Sequence, residues 1–67
     1  MTPVNSSAIS AVGHDPATNT LVVQFTSGDV YHYSDVPGDV HDQLLNADSI
    51  GKHFSANVRG QFAHRKI

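Results

Sequence analysis

The chain predicts an α+β domain in which a three-stranded antiparallel β-meander is followed by one or two short helices packed on one face. Three observations carry that expectation. The run Thr20-Leu21-Val22-Val23-Gln24-Phe25 is β-branched and aromatic, and a second such run, Val30-Tyr31-His32-Tyr33, follows across Gly28. After Tyr33 the apolar period changes from two to between three and four, with Val40, Leu44 and Ala47 at helical spacing and Leu45 widening the stripe. Ile50, Phe54 and Val58 then repeat at intervals of four, one face of a further helix. With 67 residues, the expected folded surface is roughly 4,100 Å², enough for one small core and one domain spanning the chain. Cysteine is absent, so neither a disulfide framework nor a cysteine-based zinc site can hold the fold.

Each element follows from its residues. Residues 1–7 are polar, with Pro3, Asn5, Ser6 and Ser7, and read as an N-terminal arm. Residues 8–14 read as the first strand, and Asp15-Pro16-Ala17-Thr18-Asn19 as the turn that ends it, because proline presets φ while Asp and Asn bond their own backbone. The hairpin after Phe25 has two possible registers. A two-residue loop pairs Val23 with His32. A three-residue loop, Thr26-Ser27-Gly28 with Gly28 left-handed, pairs Val23 with Tyr31 and Leu21 with Tyr33. The second is preferred, because it gathers Leu21, Val23, Phe25, Tyr31 and Tyr33 on one face and leaves Val22, Gln24, Val30 and His32 on the other. Pro37 suits the first turn of a helix capped by Ser34 or Asp35, and Asp48 or Ser49 offers a second cap. Gly51 and Gly60 are expected to bound the second helix, with Phe62 closing the core from an irregular end.

Catalytic chemistry finds little footing. There is no Cys and no Glu, and the glycines are isolated, so no phosphate-cradling loop exists. His32 points away from its two tyrosine neighbours, and the adjacent His41 and Asp42 diverge by ~100° on a helix, which argues against a dyad. His41 and His53 can meet across two helices with His14 or His64 as a third imidazole, a set that suits zinc, but no pair has His-x-x-x-His spacing. The expectation is a domain that is not an enzyme and has no cofactor. No apolar run is long enough to span a membrane and no signal peptide opens the chain, so a cytoplasmic protein without a membrane partner is expected.

Charge is the more informative pattern. The net charge is -2, yet the six acids (Asp15, Asp29, Asp35, Asp39, Asp42, Asp48) all precede Lys52, Arg59, Arg65 and Lys66. Such segregation can build a basic face on an acidic protein. Lys52, Arg59, Arg65 and Lys66 are therefore the expected phosphate contacts, with His53 or an exposed edge of Tyr33 as a stacking aid.

At Tyr31-His32-Tyr33 the sequence resembles the KTSC domain, a segment found at the C-terminus of some lysyl-tRNA synthetases and as small bacterial proteins. Around the Tyr-x-Tyr stand Ser6-Ser7, Leu21-Val22-Val23-Gln24-Phe25-Thr26-Ser27-Gly28, Val36-Pro37, and Ala47-Asp48-Ser49-Ile50-Gly51 before Phe54. The correspondence covers residues 4–67. It departs at His14 and at Phe62, where the family pattern has tyrosine. The resemblance implies an association with RNA or tRNA. The competing expectation is a protein partner or a homodimer, joined through an exposed sheet edge or face.

Overall fold

The computed structural model describes residues 1–67. A five-stranded antiparallel sheet runs in chain order: β1 (Thr2–Pro3), β2 (Ile9–Asp15), β3 (Thr20–Phe25), β4 (Val30–Tyr33) and β5 (His64–Lys66). Between β4 and β5 lie helices α1 (Gly38–Leu45) and α2 (Ile50–Asn57). The α+β class and the central β2-β3-β4 meander match the sequence expectation, and an edge strand is added on each side. β1 draws Thr2 and Pro3 of the polar arm onto β2, opposite Val12 and Ala11. β5 turns the end of the chain back along β4.

The β3–β4 hairpin takes the three-residue loop. Leu21 lies opposite Tyr33 and Val23 opposite Tyr31. The Gly28 N–H donates to Phe25 O at 2.9 Å, and Gly28 adopts φ 98°, which only glycine takes without strain. The preceding turn is closed by Ala17 N–H donating to Asp15 Oδ1 at 3.0 Å, with Asn19 at φ 52°.

α1 starts at Gly38, later than a cap at Ser34 or Asp35 would place it. Pro37 occupies the N-cap position and no side chain caps the helix. Asp35 instead takes φ 58°, a turn conformation that swings the chain off β4, and Val36 N–H donates to Asn19 O at 2.8 Å. Ser49 caps α2, its hydroxyl accepting from Lys52 N–H at 3.4 Å. Gly51 lies inside the first turn of α2 rather than at its boundary, while Gly60, at φ 80°, turns the chain beyond the end of the helix.

Both helices cover the same sheet face. Ile9, Val12, Leu21, Val23, Tyr33, Val36, Leu44, Phe54 and Val58 form the buried core, with Phe25, Tyr31 and Phe62 packed against it. The total accessible surface of 4145 Å² agrees with the size expectation. The opposite face carries Ala11, Gly13, Val22, Val30 and His32 and has no covering layer. No helix is long and apolar enough to cross a membrane.

Candidate functional site

Strand alternation puts Tyr31 and Tyr33 on the helix-facing side of β4, and the β4–β5 register sets His64 opposite Tyr33. The three rings form one cluster. Centroids are 6.4 Å apart for Tyr31–Tyr33, 5.3 Å for Tyr33–His64 and 5.8 Å for Tyr31–His64. Phe54 from α2 meets Tyr33 edge-on at 5.4 Å and Phe25 at 5.7 Å, and Phe25 meets Tyr31 edge-on at 5.5 Å. Tyr33 and Phe54 are each only 4% exposed and make the floor, whereas Tyr31 is half-buried and His64 is exposed.

Above this floor an open groove of about 510 Å³ separates α2 from the β3–β4 loop. Arg59, Ser55 and Gly51 line one wall, Thr26, Ser27 and Asp29 the other. Arg59 reaches the groove because Val58 ends α2 and its buried side chain fixes the residue that follows. Burial holds the Tyr33 phenol above the ordinary tyrosine range. Neighbouring Tyr31 adds to that shift, and the Arg59 guanidinium opposes it. Arg59 thus stands close enough to be felt by the phenol. On the β5 side, Lys66 pairs with the lining residue Asp29 at 3.3 Å. Asp29 is the single acid lining the groove.

The sequence-selected residues divide between surfaces. Tyr33 and Arg59 line this groove, Tyr33 as its buried floor rather than as an exposed edge, and Lys66 is tied to it only through its pair with Asp29. Arg65 lies opposite His32, on the sheet face away from the helices. Lys52 lines an adjoining groove with Ser6, Ser7 and Ser49, and the two grooves share Ala8, Gly51 and Ser55. His53 is half-buried: its Nε2 is enclosed without a partner, and Asn57 lies 3.4 Å from Nδ1. Two groove residues, Tyr31 and His64, are not among the phosphate and stacking contacts expected from the sequence. Their shared signal is register, since His64 meets the tyrosines only because β5 exists.

The histidines do not gather as the zinc reading requires. His41 stacks on His14 at 5.6 Å rather than meeting His53, and His14 Nε2 donates to Val36 O at 2.7 Å. No group of three metal-ligating side chains forms. His14, where the family pattern has tyrosine, therefore serves a backbone carbonyl.

A small α+β domain with an aromatic groove between its second helix and its last two strands is the class that fold and site define. The sequence pattern of the KTSC domain matches residues 5–62, and the chain belongs to that family. A protein of Tsukamurella paurometabola is 47% identical over 62 residues, covering 92% of each chain. The lysine–tRNA ligase of Nostoc sp. is 39% identical over 61 residues, which are 91% of this chain and 11% of the ligase. The crystal structure of a KTSC domain protein from Yersinia pestis superposes with a TM-score of 0.95 at 38% identity, covering 98% of this chain and 93% of that one. The role of the KTSC domain is not established, and the same module stands alone and inside lysine–tRNA ligases.

Proposed function

We propose that the domain binds unpaired RNA in the aromatic groove, as a non-catalytic positioning module. The observation that carries the reading is the half-buried Tyr31 ring beside the exposed His64, 5.8 Å apart, lining one open groove together with Arg59. Bases stack on aromatic and imidazole faces with little regard to sequence, at ~1–3 kcal/mol per base, while cations hold the phosphates. In this reading Arg59 and Lys66 hold phosphates, and Asp29 tempers Lys66. A strand leaving the groove past Ser55 reaches Lys52 in the adjoining one. The homologous segments within lysine–tRNA ligases, named for an RNA substrate, support the same ligand class.

Anisotropy of a dye-labelled single-stranded RNA tests it. With two phosphates neutralised, affinity should fall on the order of fifteenfold between about 20 and 150 mM salt. Arg59→Gln should reduce the logarithmic salt slope by ~0.7. Absence of binding at the lower salt, or equal affinity for a matched duplex, would sink the reading, because a groove that stacks bases has no use for paired ones.

A further inference from the structure

β5 is an open edge of unusual composition. Its three residues, His64, Arg65 and Lys66, are all basic and all exposed. Beside it, Ser34 N–H donates to Ala63 O and Ile67 N–H donates to Val30 O, both at 2.8 Å. In an antiparallel ladder hydrogen-bonded pairs alternate with non-bonded ones, so Ala63, Arg65 and Ile67 spend their backbone groups on β4. The N–H and C=O groups of His64 and Lys66 therefore point away from the sheet, ready for a further strand. His64 and Lys66 lie on the helix side, where Lys66 also pairs with Asp29 at 3.3 Å, and Arg65 lies on the other, so an added strand meets basic side chains on both of its faces.

From this juxtaposition we infer that β5 accepts an extended acidic segment of another protein chain as a sixth strand. Backbone bonds to His64 and Lys66 supply the affinity, and carboxylates opposite His64, Arg65 and Lys66 select the partner. A second copy fits poorly. Pairing β5 with β5 opposes cations to cations, and the other edge, Thr2–Pro3, carries no acid and a proline. This inference shares the His64 and Lys66 side chains with the RNA reading, but its affinity rests on the strand's outer backbone rather than the groove, so amide protection by the peptide and RNA binding can fail separately.

The test uses the ¹⁵N-labelled full chain and a capped peptide of alternating Glu and Val, about eight residues long. At saturation, amide exchange at His64 and Lys66 should slow at least about tenfold, with Arg65, already in the ladder, changing little. Lys66→Pro removes an N–H that β4 does not use, so it should fold yet bind at least roughly fivefold more weakly than Lys66→Gln, which loses the charge alone. Unchanged exchange at both amides in the wild-type chain overturns the inference whatever the variants do. So does equal binding by the Pro and Gln variants, or by the peptide N-methylated at alternate residues, because charge alone would then account for it. Concentration-dependent protection of the same amides without peptide would assign the edge to a second copy. Equal protection by single-stranded RNA would assign it to nucleic acid. Either result overturns the proposal.

Discussion

Phe54→Leu is the substitution on which the packing account stands most openly. Phe54 is the contact by which α2 grips the sheet, and its ring meets Phe25 and Tyr33 edge-on at 5.7 and 5.4 Å. Leucine keeps most of the apolar volume, so the transfer and cavity terms stay small, but both edge-to-face contacts vanish. At ~0.5–1.5 kcal/mol each, their loss costs about 2 kcal/mol. A chain of 67 residues has a total stability of roughly 3–10 kcal/mol. The substitution therefore removes a large share of it. Thermal unfolding followed by circular dichroism should show the midpoint falling by ~8–16 °C. A fall of less than about 4 °C would refute the claim that the aromatic floor anchors α2.

Three further outcomes follow from the same geometry. Gly28→Ala forces a Cβ into φ 98° with open space around it, so strain alone acts; it should cost ~1–2 kcal/mol in urea denaturation, and no loss would mean the loop can re-form around a different register. Asp29→Asn frees Lys66 and removes the groove's only acid, so RNA affinity at low salt should rise a few-fold while stability shifts by less than about 0.5 kcal/mol; unchanged affinity would place the RNA elsewhere. Tyr33 holds its proton more tightly folded than unfolded, so its contribution is intact below the ordinary tyrosine value of about 10 and is lost as pH rises through the folded value. The urea midpoint of Tyr33→Phe should therefore decline less between about pH 9 and 11 than that of the wild type, and parallel declines would contradict the assignment.

The residues that announced themselves in the sequence are those whose burial dictates a period. Leu21, Val23 and Tyr33 share a face because each must be buried, and that requirement chose the hairpin register. Ile50, Phe54 and Val58 fixed the face of α2 in the same way, and Ser49 marked its start. What stayed hidden carries no such period. β1 is two residues of a polar arm, and β5 is His-Arg-Lys; both join the sheet through backbone bonds that any side chain permits. Missing β5 split the candidate site. As a tail, Arg65 and Lys66 belong with Arg59 on one basic surface. As a strand, alternation sends Arg65 to the uncovered face and leaves Lys66 beside the groove. His53 illustrates the other limit, since a polar residue on a helix gives no sign that its outer nitrogen will be enclosed.

The claim that the groove is the nucleic-acid site is tested most directly by mapping amide shifts in the ¹⁵N-labelled chain during titration with single-stranded RNA at about 20 and 150 mM salt. Saturable shifts are expected at Tyr31, Tyr33, Arg59, His64 and Lys66, weakening at the higher salt, with Ala11, Val22 and His32 on the uncovered face little changed. An unshifted spectrum at the lower salt, or shifts centred on His32 and Arg65, would contradict it.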